Sequence, residues 1–122
     1  MDYRVTRDQL PNRAFGAGVS ADLFNGSDHG LGTISLMFGE VQPGASVALH
    51  RHTYEEVFVV TEGRGAFTIG ETTVHAGPGD IVMVPAGVPH RFVNTGDGPL
   101  RQTAVHSAPA IAIEWLEKPG ER

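Results

Sequence analysis

Short runs of apolar and β-branched residues, separated by glycine and proline, recur along most of the chain. Runs of this kind are typical of β-strands joined by tight turns. No segment shows a long apolar period of about 3.6 residues, so the pattern predicts no long helix. The predicted strands cover residues 33–41, 46–52, 56–61, 65–69, 72–75, 81–84, 90–94 and 100–106.

The two ends of the chain are less regular. Residues 3–7 predict an edge strand, residues 11–28 predict irregular structure, and residues 110–116 predict a last strand or short helix that packs Trp115 on the body. About eight or nine strands in one chain of this size predict a closed barrel or a two-sheet jelly roll, because both limit exposed strand edges. We therefore expect a single all-β domain over residues 1–122, with residues 1–32 as an N-terminal arm and edge strand.

Composition narrows the function classes. The net charge is -5, from 9 basic and 14 acidic residues, and no basic cluster is present. We therefore expect no nucleic-acid partner and no anionic membrane partner. The absence of cysteine excludes thiolate metal sites, disulfides and cysteine nucleophiles. The charged first residues lack the apolar core of a signal peptide, and no apolar run approaches the roughly 20 residues of a membrane span, so we expect a cytoplasmic protein.

Four side chains have a spacing that suits a shared metal ion. His50 and His52 are two residues apart on a predicted strand, so both point to the same face. Glu56 has the same parity and can share that face, whereas the adjacent Glu55 should point outward. His90 begins a later strand, which a barrel can bring opposite the first.

Two spaced motifs contain these residues. Gly44 to Gly63 reads G-x5-H-x-H-x3-E-x6-G, and Gly79 to Asn94 reads G-x5-P-x-G-x2-H-x3-N. The chain resembles the cupin superfamily, whose two signature motifs match at every fixed place, with motif 1 at residues 44–63 and motif 2 at 79–94. The short segment between the motifs is similar to that of compact microbial single-domain cupins. Asn94 is expected to stabilise a turn rather than to bind the ion.

The resemblance implies a fold and a site. The fold is a jelly-roll β-barrel, or double-stranded β-helix, with a metal ion inside its wider mouth. The implied metal ligands are His50, His52, Glu56 and His90. The resemblance also implies a homodimer paired through a sheet edge, for which residues 3–7 are a candidate swapped segment.

Three neutral imidazoles and one carboxylate suit one divalent transition metal ion: Fe, Mn, Ni, Zn, Cu or Co. The bound site has a charge of about +1, which favours anionic, enolate-forming or catechol-like oxygen ligands. A mostly apolar barrel around the ion suits a small-molecule substrate. His106 and Tyr54 are candidates to act beside the ion as a base, proton shuttle or donor.

These features give three hypotheses about function. The first is a metal-dependent oxygenase of the dioxygenase type that acts on a small organic substrate. The second is a redox-neutral isomerase, lyase or decarboxylase that uses the ion as a Lewis acid. The third is a non-catalytic module that binds a small molecule or a metal. The four proposed ligands allow all three, because one barrel hosts many chemistries.

Overall fold

The computed structural model describes residues 2–120, so the ends of the predicted domain, Met1, Glu121 and Arg122, lie outside the described residues. Two short 3-10 helices, Arg7–Gln9 and Gly26–His29, accompany the strands. Between residues 2 and 120 no helix is long and apolar enough to cross a membrane. The strands are β1 (Asn12–Ala14), β2 (Val19–Phe24), β3 (Ser35–Val41), β4 (Ser46–Arg51), β5 (Glu56–Glu62), β6 (Gly65–Ile69), β7 (Thr72–Ala76), β8 (Ile81–Val84), β9 (His90–Asn94), β10 (Leu100–His106) and β11 (Glu114–Trp115).

The strands form two antiparallel sheets. One sheet has the order β1-β2-β3-β10-β5-β8, and the other has the order β11-β4-β9-β6-β7. Inward and outward residues alternate along the strands, as in β10, where Leu100, Gln102, Ala104 and His106 are buried. This alternation gives each sheet one face for the interior and one face for solvent. The predicted all-β jelly-roll barrel is confirmed.

Three phenylalanines hold the two sheets together. Phe58 comes from the first sheet, and Phe67 and Phe92 come from the second. Their ring centroids are 4.9–5.4 Å apart, and all three side chains are buried. Aromatic rings at this distance pack at tilted or offset angles and bury large apolar areas. The cluster also contacts His90, whose ring centroid is 6.1 Å from that of Phe58, so the core supports one wall of the candidate site.

The N-terminal predictions were wrong in two places. Residues 3–7 form no strand, because the chain closes into the 3-10 helix Arg7–Gln9, where Thr6 N donates to Gln9 Oε1 at 3.0 Å. Residues 11–28, predicted to be irregular, contain β1 and β2. In β2, Val19, Ala21 and Leu23 alternate with less buried residues, and the strand pairs along β3. The described residues 2–32 are therefore more than an arm, since they supply β1 and β2 to the first sheet.

Candidate metal centre

His50, His52, Glu56 and His90 meet at one point inside the barrel. One donor atom from each side chain lies within 4.8 Å of the others, and all four residues are buried. The strand register explains the meeting of the first and last of them, because His50 of β4 lies opposite His90 of β9. Glu56 is the first residue of β5, and the sequence prediction that these four side chains converge agrees with their positions.

The turn before β9 is tied to the strand that carries the first two histidines. β4 ends at Arg51, so His52 lies just beyond it. Its carbonyl accepts a hydrogen bond of 2.8 Å from the backbone N–H of Gly87. Gly87 has φ +78°, a conformation that favours glycine. The glycine of the second motif therefore permits a turn that fixes His52 and leads into His90.

Each of the three imidazoles is held by its Nδ1 atom. His50 and His90 each donate from Nδ1 to the carbonyl of the residue two positions earlier, at 2.7 and 2.9 Å. His52 donates from Nδ1 to the carbonyl of Ala112 at 2.7 Å. An Nδ1–H bonded to a carbonyl fixes the tautomer and leaves Nε2 with a free lone pair. All three Nε2 atoms are thus prepared to act as ligands.

The distances among the donor atoms suit a shared ion. Glu56 Oε1 lies 3.1 Å from Nε2 of both His52 and His90. Donors about 2.1 Å from a common ion are about 3.0 Å apart when adjacent in an octahedron and about 4.2 Å apart when opposite. The observed separations have this scale. Three imidazole nitrogens and one carboxylate oxygen therefore fit one divalent transition metal ion.

The electrostatics of the metal-free cluster favour an ionised carboxylate. Burial raises the pKa of the Glu56 carboxyl, but the neighbouring imidazoles of His106, His52 and His90 outweigh it and hold that pKa well below its usual value. Burial, followed by the nearby His90, lowers the pKa of His50 to about 4. Burial also lowers the pKa of His52, but contact with Glu56 outweighs burial and raises it. Glu56 is therefore charged and His50 neutral near neutral pH, as metal ligation requires.

A fourth histidine lies against the cluster on the side of β10. His106 is fully buried, and its Nε2 is 3.1 Å from Glu56 Oε2. This Nε2 has no hydrogen-bond partner among residues 2–120. On its other side, His106 Nδ1 is 2.7 Å from the Tyr54 hydroxyl, which also accepts from Ala112 N at 3.1 Å. Burial raises the pKa of Tyr54 to about 12, so this hydroxyl keeps its proton. The two residues proposed from the sequence to act beside the ion are thus in contact with each other, and one of them, His106, lies against Glu56.

A small cavity opens onto the cluster, and its lining residues include the donors His50, His52 and Glu56. Trp115 of β11 forms part of its wall, with its ring centroid 5.1 Å from that of His50. The remaining apolar walls are mainly Phe15, Val19, Met37, Val41, Val47, Phe58, Phe92, Ala104 and Ile113.

Glu55 and Asn94 belong to the two motifs but not to the donor cluster. Glu55 is exposed and Glu56 is buried, as parity predicted. Asn94 stabilises a turn, as expected, because Nδ2 donates to the carbonyls of Val41 and Gly98 and Oδ1 accepts from Gly96 N, all at 2.8 Å.

Two residues of the site, Ala112 and Gln102, have no role assigned to them by the sequence. The carbonyl of Ala112 orients His52, and Gln102 lines the cavity. A backbone carbonyl has no sequence signal. Gln102 has the same parity as His106 on one predicted strand, so the sequence allows its side chain to face inward.

Residues 37–106 match the cupin domain family Cupin_2, and the chain belongs to this family. The chain is 31% identical over 95 residues to auxin-binding protein 1 of Arabidopsis thaliana, covering 70% of this chain and 48% of that protein. It spans about half the length of the first curated relatives that it matches.

Two solved structures share the fold. The oxalate decarboxylase of Lactobacillus farciminis superposes with a TM-score of 0.82 at 24% identity, covering 89% of this chain and 34% of that chain. The polyketide cyclase RemF of Streptomyces resistomycificus superposes with a TM-score of 0.77 at 23% identity, covering 96% of this chain and 87% of that chain. At this level of identity, the likeness establishes a common barrel only.

Proposed function

We propose that the chain binds one divalent transition metal ion through His50, His52, Glu56 and His90 and acts on a small organic substrate beside it. The carrying observation is the convergence of four buried donor atoms within 4.8 Å, with the Nδ1 of each histidine already bonded to a carbonyl. Three lone pairs and a carboxylate in so small a volume repel one another unless a cation or protons lie between them. A metal ion meets that need.

When bound, the ion supplies Lewis-acid or O2 chemistry to a substrate oxygen. The protein supplies the surroundings. Phe58, Phe92 and Trp115 line the cavity and exclude water from the reacting end of the substrate. Nδ1 of the buried His106 lies 2.7 Å from the Tyr54 hydroxyl, so this pair can hold a proton next to Glu56 and pass it to or from a bound molecule.

Our first candidate reaction is oxygenation of the dioxygenase type, because the four side chains form a nitrogen-rich donor set next to an apolar cavity that suits O2 and a small organic molecule. A second candidate is redox-neutral lyase, isomerase or decarboxylase chemistry. The contact between Tyr54 and His106 favours it, since such reactions depend on placing a proton. The similar folds of a decarboxylase and a cyclase are compatible with this second candidate.

A non-catalytic role is the third candidate. The similarity to an auxin-binding protein supports it, because that relative is named for holding a small molecule. The apolar walls of the cavity, together with the donor cluster, suit a small organic acid bound through its carboxylate.

The test begins with metal. The purified protein is stripped with a chelator and reloaded separately with Fe(II), Mn(II), Ni(II), Zn(II), Cu(II) or Co(II), and metal content and melting temperature are measured. We expect one ion per chain and a higher Tm. A chain that binds no ion with all four ligands intact contradicts the proposal.

The loaded protein then separates the three candidates. Oxygen uptake over a panel of flavonols, diketones and catechols, with loss of turnover under argon, supports oxygenation. Turnover that is equal under argon and air supports the redox-neutral reaction. Saturable binding without turnover in either atmosphere supports the binding role. Light scattering on the same samples tests the homodimer that the family resemblance implies.

A further inference from the structure

Gln102 is a buried polar side chain in the cavity wall that the proposed metal chemistry does not use. It lies on β10 and is only 5% exposed. Its Oε1 atom is buried and has no hydrogen-bond partner among residues 2–120. It lines the same cavity as the donor cluster. Since buried polar atoms are nearly always paired in native proteins, an unpaired amide oxygen on a residue that lines a cavity indicates an absent partner.

The barrel wall leaves room for this side chain. Gly39 of β3 pairs with Gln102, and a Cβ placed on Gly39 lies 3.6 and 3.7 Å from the Cγ and Nε2 atoms of Gln102. The glutamine therefore lies across a position that has no side chain of its own. The next inward residue of β10 is Ala104, which lines the same cavity between Gln102 and His106.

The energetics argue against a packing role for the amide. An amide oxygen that is moved from water into this wall without a partner loses its hydration and gains no hydrogen bond in return. A leucine has a similar volume and avoids that penalty. Residues that lower the stability of the fold in this way are common at functional sites.

We propose that the Gln102 carboxamide binds a hydroxyl group of the small organic ligand whose other end lies at His50, His52, Glu56 and His90. This inference rests on the proposed function and specifies its ligand. A hydroxyl both donates and accepts, so it pairs with either end of the carboxamide. Gln102 is thus a positioning and specificity residue that selects a hydroxylated ligand over its plain analogue.

The positions of the two ends define the ligand class. Gln102 and His106 are four residues apart on one strand, so their Cα atoms are about 13 Å apart. Between these ends, Phe58, Phe92 and Met37 provide apolar walls. The ligand expected is a small molecule with an apolar middle, an anionic oxygen donor at the metal end and a hydroxyl at the other end.

The test compares ligand pairs that differ by one hydroxyl. Zn(II)-loaded protein is titrated calorimetrically with benzoate and 4-hydroxybenzoate, and with the longer pair cinnamate and 4-hydroxycinnamate. The variants are Gln102→Leu and, as a matched control, Gln42→Leu, since Gln42 is exposed and bonds Glu40 at 3.1 Å. Metal content and the Tm of the chelator-treated proteins are measured in parallel.

We expect the wild type to bind the hydroxylated member of at least one pair about two- to tenfold more tightly. Gln102→Leu should bind both members alike, retain its metal, and melt several degrees higher than wild type without ligand, because an unpaired buried amide is gone. Gln42→Leu should keep the wild-type preference.

Three results overturn the inference. The preference for the hydroxylated acid persists in Gln102→Leu, or the wild type shows no preference in either pair, or Gln102→Leu melts several degrees lower, which identifies a structural amide. Metal content separates this failure from failure of the proposed function. If one of these results occurs while each chain still binds one ion, only the role of Gln102 is refuted. If the wild type takes up no metal, the proposed metal centre itself is refuted.

Discussion

Replacing His52 with alanine removes one of the four proposed ligands and nothing else that the ion needs. His52 is 4% exposed, and its Nε2 lies 3.1 Å from Glu56 Oε1. Structural zinc sites with four donors gain about 10–16 kcal/mol from the metal, so one donor contributes about 3 kcal/mol. We expect His52→Ala to raise the Kd of the metal roughly 100-fold.

The weaker metal binding of His52→Ala should reduce the rise in melting temperature that metal produces. With free metal at about 1,000 times the wild-type Kd, binding stabilises the wild type by about 4 kcal/mol, and the variant by about 1.4 kcal/mol. The difference corresponds to a loss on the order of 10 °C in the metal-induced rise of Tm for a domain of this size. The assay is thermal denaturation of each protein with chelator and with metal, so any effect on folding alone appears in the chelator sample.

The matched control is His75→Ala, because His75 is exposed on β7 and outside the cluster. It should keep the full metal-induced rise in Tm and the full metal content. An unchanged rise in His52→Ala refutes the four-ligand site. Loss of metal from His75→Ala refutes the assignment of ligands equally.

Three further predictions concern the metal-free protein and the barrel. The pKa of His50 falls from 6.5 to about 4 on folding, so the unfolded chain binds a proton that the folded chain refuses, and stability falls between about pH 6.5 and pH 4 by as much as about 3 kcal/mol. Urea unfolding in the presence of chelator measures this loss of stability, which should be smaller in His50→Gln than in the wild type. An equal loss in the two proteins contradicts the prediction. Gly63 has φ +81°, and Gly63→Ala places a Cβ 2.3 Å from the Pro99 carbonyl oxygen, so its free energy of unfolding should fall by more than about 2 kcal/mol. Gly44 has φ +77° with no atom within 4 Å of an added Cβ, so Gly44→Ala should reduce the free energy of unfolding by only about 1 kcal/mol in the same urea assay. Phe67 is fully buried, so Phe67→Ala should reduce the free energy of unfolding by about 3–5 kcal/mol. A clearly smaller reduction, measured by urea unfolding, contradicts the assigned core.

The strands and the donor cluster could be predicted from the sequence because both depend on parity. Each strand from β3 to β10 was predicted within a residue or two of its observed ends, since apolar runs between glycines are a local signal. The same period of two placed His50 and His52 on one face. Spacing to Glu56 and to His90 added the resemblance that names the ligands.

The N-terminal part failed for a physical reason. β2 contains Asp22 among its half-buried residues, where the carboxylate accepts hydrogen bonds from Arg7 and Asn12. Arg7 and Asn12 therefore stabilise the Asp22 carboxylate on the outer face of the sheet. In the sequence alone, Asp22 interrupts an apolar run, so no strand was predicted there. Residues 3–7 failed in the opposite way, because β-branched residues there suggest a strand but no neighbouring strand pairs with them in the described fold.

Contacts that join distant parts of the chain lie beyond any local pattern. Ala112 orients His52 through a carbonyl, which every residue type possesses, across 60 residues of sequence. Gln102 differs, because parity on β10 places it inward beside His106, and its lack of a partner is visible only once the opposing strand is known to present Gly39. The sequence can therefore identify a polar residue at an inward position of a predicted barrel strand, but only the tertiary contacts show whether it has a hydrogen-bond partner. Where those contacts supply no hydrogen bond, as at Oε1 of Gln102, the partner to look for is a ligand.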